Sequence, residues 1–215
     1  MSKAKLFIVD DHLIFREGLR NLIELEGIGK VVGESSNGKD FLNKIDNIEA
    51  DLVLMDISMP VMNGIDATKQ AVENNPDLKV MALSMNGDEE YYYKMIEAGA
   101  KGFLLKDSGI KEIEQAIKTV IDGDSYFSNE LLRRIITNLS KPDNKGKDIS
   151  SILSKREIEV LVEICNGLTN EEIADKLFIS AQTVKGHRSN LLSKTNCRNS
   201  ASLVMYAVKN KIVAF

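Results

Sequence analysis

The sequence has few of the residues that build covalent or metal-linked frameworks. It contains 215 residues with no tryptophan, three prolines, two histidines and two cysteines. Cys165 and Cys197 have no CxxC spacing and no cluster of histidines near them, so neither a disulfide framework nor a zinc site is indicated. We expect both to be reduced thiols, buried or half-buried. A chain with 43% apolar and 28% charged residues and so few prolines is typical of a globular protein rather than a disordered or fibrous one.

Long apolar runs are also missing. The longest are strand-sized, and the amino terminus, MSKAKLFIVDD, becomes acidic after four apolar residues. Such a run is too short for a signal-peptide core or a membrane span. We therefore expect a cytoplasmic protein with no membrane partner.

Acidic residues are absent from the last forty positions. Residues 176–215 hold seven lysines or arginines and neither aspartate nor glutamate. Although the whole chain carries a net charge of −4, residues 1–147 carry −6 and residues 148–215 carry +2. This asymmetry suggests that the carboxyl-terminal part binds a polyanion.

Short apolar runs alternate with helical patterns through the first 122 residues. The candidate strands are residues 5–9, 31–35, 52–56, 79–84 and 102–106. Repeated alternation of strand and helix predicts an α/β domain in which helices cover both faces of a parallel sheet. Reactive residues in such sheets gather at the carboxyl ends of the strands.

The pattern changes after residue 123. The segment SNELLRRIITNL, 128–139, predicts one helix, and the polar segment SKPDNKGKDISS, 140–151, predicts a linker. Four further helices follow, two of which begin with capping-box pairs, namely Ser154 with Glu157 and Thr169 with Glu172. The predicted domains are residues 3–122, a linker with a helix at 123–149, and an all-α domain at 150–213.

Polar residues stand where the predicted strands end. These residues are Asp10, Asp11, Asp56, Ser84 and Lys106. Crowded carboxylates repel one another unless a cation intervenes, and Mg²⁺ suits one or two carboxylates together with water. A carboxylate can act as a nucleophile toward phosphorus, and an ammonium and a hydroxyl can then neutralise the phosphoryl oxygens.

The motifs FIVDDH, LVLMDISMPVMNG, MALS and KGFLLKD resemble those of the receiver domains of two-component response regulators, which have a five-stranded, doubly wound, flavodoxin-like fold. The resemblance implies that Asp56 is the phosphoacceptor. It implies that Asp11, Asp56 and the backbone carbonyl of Ser58 bind Mg²⁺, with Asp10 in support. It also implies that Ser84 and Lys106 hold the phosphoryl oxygens and that Phe103 changes rotamer on activation. Asp107 departs from the proline that many receivers have after the lysine.

A short turn, FIS, separates two helical patterns near the carboxyl end, which predicts a helix-turn-helix. Its second helix, from 181 to about 194, carries Lys185, Arg188 and Ser189 within one turn of each other. Val184 and Leu191 fall on another face, which suits core packing. The groove-facing side is thus predicted to be cationic.

Residues 150–213 resemble the LuxR-type DNA-binding domain of NarL/FixJ-type regulators through LSKREIEVL, GLTNEEIADKLFIS and TVKGHRSNLLSK. The resemblance implies contacts with DNA through Thr183, Lys185, Gly186, Arg188 and Ser189. Two features depart from the pattern, Gly186 and the segment KTNCRNS. His187 is expected to pack or to form a hydrogen bond rather than bind metal.

Together these features predict a transcription regulator that a partner histidine kinase phosphorylates on Asp56, that binds double-stranded DNA and that is a homodimer when active. It is not expected to be an enzyme beyond its own phosphotransfer and dephosphorylation. One alternative is a regulator that works without phosphorylation. The other is an aspartyl-phosphate phosphatase. Such an enzyme requires a second aspartate as acid/base two residues after the first, where this chain has Ser58.

Overall fold

The computed structural model describes residues 3–85, 89–127, 152–210 and 212–213. Its internal contacts divide the chain into two compact units, Met1–Tyr126 and Phe127–Phe215. The predicted helix at 128–139 and the polar segment after it lie outside the described residues. Each unit is described by itself.

The first unit alternates strands and helices as the sequence predicts. Its elements are β1 (Ala4–Val9), α1 (Leu13–Leu25), β2 (Gly29–Ser35), α2 (Gly38–Ile45), β3 (Leu52–Asp56), α3 (Gly64–Asn74), β4 (Val80–Ser84), α4 (Glu89–Ala98), β5 (Gly102–Leu105) and α5 (Ile110–Ile121). All strands run parallel in the order β2-β1-β3-β4-β5. The predicted α/β fold is confirmed, with strand ends displaced by at most two residues.

Successive residues of β1 point to opposite faces of the sheet, and both faces are covered. Leu6 and Ile8 pack with Ile23 of α1 and Ile117 of α5. Phe7, on the other face, meets Phe41 of α2 edge to face, with ring centroids 5.4 Å apart. Each fully buried side chain of this kind contributes about 1.5–3 kcal/mol, and the sheet is held rigidly between two apolar layers.

The strand order brings the carboxyl ends of β1 and β3 together. β1 lies between the edge strand β2 and the central strand β3, and Val9 at its end pairs with Met55 next to the end of β3. The strand order reverses there, which is where open α/β sheets build their sites. The polar residues that follow both strands are therefore neighbours.

The second unit is helical throughout its described part. Its helices are α6 (Lys155–Cys165), α7 (Asn170–Leu177), α8 (Ala181–Thr195) and α9 (Ser200–Lys209). Both predicted capping boxes are present, at the starts of α6 and α7. Val184 and Leu191 of α8 are fully buried, which confirms their predicted core role.

Both cysteines are free thiols, as predicted. Cys165 is buried, and burial raises the pKa of its thiol to about 12. Cys197 is half-buried, and burial also raises its pKa. No helix among the described residues is both long enough and apolar enough to cross a membrane.

One capping residue makes the second unit sensitive to acid. Burial raises the pKa of Glu157, but hydrogen bonds from Lys194 and Ser154 outweigh burial and bring it from 4.5 to about 2. Because the pKa is depressed, its stabilising effect is present above pH 4.5 and is lost as the pH falls through 2. We expect Glu157→Gln to lower the free energy of unfolding at pH 7 by about 2 kcal/mol, since Lys194 is partly exposed and its charge is screened.

Calorimetry of the full chain between pH 7 and pH 2 measures this effect. The difference between the wild type and Glu157→Gln should shrink as the pH falls. The matched control is Glu159→Gln, because Glu159 pairs with Arg156 at the surface. A constant difference across the pH range would show that the charge of Glu157 is not the cause.

Candidate functional site

Asp10 follows β1 directly and is held from three sides. Its side chain is fully buried. Its backbone N–H donates to the carbonyl of Ser35, 3.1 Å away, and Arg16 donates to its carbonyl oxygen. The backbone N–H of His12 donates to its Oδ1 at 2.8 Å. The backbone of Asp10 is thus fixed by β2 and by Arg16 of α1, and its carboxylate is held by the N–H of His12.

Asp56 is the last residue of β3 and is 4% exposed. The four apolar residues before it, 52–55, are fully buried, which makes the strand a rigid support. Beyond it the chain turns tightly, and Gly64 at the start of α3 donates to the carbonyl of Ile57 at 2.9 Å. A β-carbon at Gly64 would lie 2.0 Å from the backbone oxygen of Asp56, so only glycine fits there.

Lys106 brings the two carboxylates together. Its Nζ lies 2.7 Å from Oδ2 of Asp10 and 3.1 Å from Oδ2 of Asp56, and its side chain is 4% exposed. The ammonium also lies 4.9 Å from the ring centroid of Phe15, a cation–π distance. Its backbone N–H donates to the carbonyl of Ser84 at 2.7 Å, so with Asp107 next to it Lys106 still reaches both aspartates. We call Asp10, Asp11, Asp56 and Lys106 the acidic site.

The acidic site holds more negative than positive charge. Burial raises the pKa of Asp56, the ammonium of Lys106 opposes this rise, and the charge of Asp10 adds to it. The pKa of Asp56 is raised overall, so keeping its carboxylate ionised costs free energy. An additional cation would lower that cost.

The donor atoms present fit a small divalent cation. Ligand atoms of Asp10, Asp11, His12 and Asp56 all lie within 4.8 Å of one another. Oδ1 of Asp11 is buried and accepts no hydrogen bond from any described residue. Ser58 lines the same groove as Asp11, which has a volume of about 660 Å³. Carboxylate and carbonyl oxygens with room for water are what Mg²⁺ takes.

Two other predicted residues lie at neighbouring strand positions. Ser84 ends β4, one residue beyond the pair that Asp56 forms with Leu83, and its hydroxyl donates to the carbonyl of Met85 at 3.2 Å. Phe103 in β5 is 8% exposed and packs edge to face on Tyr92, with centroids 4.3 Å apart. Its predicted rotamer change stays a prediction.

The structure adds residues that the sequence did not single out. Phe15 lies under Lys106, and Arg16 joins the carbonyl of Asp10 to the carboxylate of Glu34. His12 lies beside two carboxylates. All three follow Asp10 and Asp11 within five residues in the sequence. This proximity is the one sequence signal that could have indicated them.

The predicted DNA-contacting residues all lie on α8. Thr183 and Ser189 are exposed, and Thr183 accepts or donates a hydrogen bond with Ser180 at the helix start, 2.8 Å away. Gly186 is exposed, and a β-carbon there would meet no atom within 4 Å, so packing does not require glycine. Lys185 and His187 are half-buried.

Several cations of the second unit serve its own structure. Arg188 donates to the hydroxyl of Ser200 at 3.0 Å and to the carbonyl of Leu168 at 3.2 Å. Lys176 and Lys194 pair with carboxylates on α6 at 2.7 and 2.8 Å. The acid-free segment therefore presents less available positive charge than its composition suggests. A DNA contact by Arg188 stays a prediction and would have to compete with these bonds.

Comparisons with known proteins agree with the fold of both units. Residues 6–118 match the response regulator receiver domain, and residues 151–207 match the bacterial regulatory proteins of the luxR family. The oxygen regulatory protein NreC of Staphylococcus carnosus is 36% identical over 98% of this chain and 100% of its own length. The transcriptional regulatory protein DegU of Brevibacillus brevis is 33% identical over 97% and 94%. The crystal structure of ChrA, a response regulator in a heme-sensing two-component system, has a TM-score of 0.52 and 30% identity over 99% of this chain and 100% of its own.

The chain therefore belongs to the response regulators. Its receiver domain is followed by a LuxR-type DNA-binding domain, and it is a transcription regulator of the NarL/FixJ type.

Proposed function

We propose that Asp56 accepts a phosphoryl group from a partner histidine kinase. One observation carries this proposal: a buried carboxylate at a strand end lies 3.1 Å from a buried ammonium, with two more carboxylates beside it. An Oδ of Asp56 would form the new O–P bond while the N–P bond of the kinase phosphohistidine breaks, and the electron pair of that bond returns to the imidazole.

Asp11, Asp56 and the carbonyl of Ser58 would hold Mg²⁺, supported by Asp10. The bound cation would neutralise charge on the phosphoryl oxygens. Lys106 is placed to bond a phosphoryl oxygen because its Nζ already lies beside Asp56, and the hydroxyl of Ser84 would bond another. The added charge would bias the receiver between two states, with Phe103 changing rotamer between them.

Phosphorylation is measured by intact mass after incubation with acetyl phosphate and Mg²⁺. The wild type should gain the mass of one phosphoryl group and Asp56→Asn none. Asp51→Asn is the matched control, since Asp51 precedes the same strand and is exposed. Gain of the group by Asp56→Asn would refute the acceptor assignment. A wild type that gains nothing would favour the phosphorylation-independent alternative.

We further propose that the phosphorylated chain, as a homodimer, binds double-stranded DNA through α8. The residues that would lie along the groove and the phosphates are Thr183, Lys185, Gly186, Arg188 and Ser189. Exposure of Thr183, Gly186 and Ser189 on one helix supports this placement. A helix of this kind docks in the major groove, where contacts with phosphates make the affinity depend on salt.

Salt titration of full-length protein with genomic duplex DNA measures that dependence. The logarithm of the affinity should fall linearly with the logarithm of the salt concentration, and Lys185→Gln should reduce the slope by about one. Lys30→Gln, at an exposed lysine in the first unit, should leave the slope unchanged. Equal slopes for the wild type and Lys185→Gln would show that Lys185 does not contact the DNA.

A further inference from the structure

His12 occupies a position at the acidic site for which the proposed phosphotransfer has no use. It precedes α1 as the N-cap residue, but its side chain makes no capping hydrogen bond. The imidazole is 66% exposed, with its Nδ1 turned toward the carboxylates of Asp10 and Asp11. A ring nitrogen therefore adjoins a set of oxygen ligands.

The distances match those between two ligands of one metal ion. Nδ1 of His12 lies 3.3 Å from Oδ1 of Asp10 and 3.2 Å from Oδ1 of Asp11. Metal–nitrogen and metal–oxygen bonds of about 2.1 Å place two ligand atoms about 3.0 Å apart at a right angle and about 3.4 Å apart at the tetrahedral angle. Both observed separations fall between these values.

The oxygens beside His12 are not those used by Lys106. The ammonium contacts Oδ2 of Asp10 and Oδ2 of Asp56, whereas the imidazole adjoins Oδ1 of Asp10 and Oδ1 of Asp11. Oδ1 of Asp11 is buried and accepts no hydrogen bond among the described residues, so its contact with the ring is close without being a hydrogen bond. Nδ1 of His12 and Oδ1 of Asp11 thus lie next to each other on the side of the site that Lys106 does not contact.

We propose that His12 is a nitrogen ligand, and that with Asp10 and Asp11 it makes the cation site bind divalent transition metals more tightly than Mg²⁺. Imidazole suits Zn²⁺, Ni²⁺ and Cu²⁺, whereas Mg²⁺ prefers oxygen. The inference rests on the cation site of the proposed function and adds its selectivity. A transition metal at His12 would then compete with Mg²⁺ for Asp10 and Asp11.

Isothermal titration of the full chain with Zn²⁺ and, separately, with Mg²⁺ tests this selectivity. We expect His12→Asn to weaken Zn²⁺ binding by about tenfold or more and to change Mg²⁺ binding by less than about twofold. Asparagine keeps a good N-cap residue before α1 while removing the ring nitrogen. His187→Asn is the matched control, because His12 and His187 are the only histidines of the chain and the two cysteines are unchanged in every variant.

Electron paramagnetic resonance with Cu²⁺ gives a readout independent of affinity. Nitrogen coupling should be present in the wild type and in His187→Asn, and absent from the site signal in His12→Asn. Unchanged Zn²⁺ affinity and unchanged coupling in His12→Asn would overturn the proposal, as would an equal loss of Zn²⁺ and Mg²⁺ binding. Asp11→Asn distinguishes failure of the proposed Mg²⁺ site from failure of the role of His12. If Asp11→Asn leaves Mg²⁺ binding intact, the proposed Mg²⁺ site is wrong. The effect of His12→Asn on Zn²⁺ binding still decides whether His12 is a ligand.

Discussion

Replacing Gly64 with alanine is expected to lower the free energy of unfolding of the first unit by about 3 kcal/mol. The new β-carbon would lie 2.0 Å from the backbone oxygen of Asp56 and 2.9 Å from its carbonyl carbon. Backbone atoms of a central strand cannot rotate away as a side chain can, so α3 or the end of β3 must move. We expect phosphoryl incorporation from acetyl phosphate to fall with stability, because the same carbonyl belongs to Asp56, the proposed acceptor.

Gly18→Ala is the matched control for this substitution. Gly18 lies within α1, and a β-carbon there would meet nothing within 4 Å. Alanine should stabilise that helix by up to about 1 kcal/mol. Hydrogen exchange of amides in β3 measures the first unit alone in the full chain. If the β3 amides are equally protected from exchange in Gly64→Ala and in Gly18→Ala, the close contact at Gly64 does not limit the stability of the first unit.

Replacing Lys106 with methionine is expected to cost about 3–5 kcal/mol, because it leaves buried carboxylates without their ammonium. Methionine keeps most of the apolar stem, so the loss reports on charge rather than on packing. Since a divalent cation can neutralise the same carboxylates, we expect added Mg²⁺ to recover part of the stability. The recovery should be larger in Lys106→Met than in the wild type.

Lys111→Met controls for the loss of a lysine from the same unit, because Lys111 is exposed on α5. Exchange of β3 amides should be unaffected by it. A Lys106→Met variant as stable as Lys111→Met, with or without Mg²⁺, would contradict the view that Lys106 neutralises the acidic site.

The fold followed from the sequence because its signals were local and repeated. Each strand of the parallel sheet is an apolar run next to a polar break, and the end of β3 at Asp56 was predicted to the residue. The capping boxes of α6 and α7 were equally local, since three residues separate the two partners. The five predicted strand-end residues also lie at one edge of the sheet, because the parallel strands end there.

Side-chain partners across the fold were not accessible in the same way. Nothing in the sequence pairs Arg188 with Ser200, or Lys194 with Glu157, because these contacts depend on how helices pack. Counting charges therefore overstated the positive surface of the second unit. Similarly, the contact of Arg16 with the carbonyl of Asp10 arises only once α1 folds back beside β2.

The division of oxygens at Asp10 has a kinetic consequence. One oxygen faces the lysine and the other faces the histidine side, so an ion arriving at the proposed cation site would find a ligand without displacing the ammonium. The ion pairs of Lys106 would not have to break at entry, so the ammonium should not slow the exchange of the ion. The cation could then be lost and regained while Lys106 stays in contact with Asp10 and Asp56.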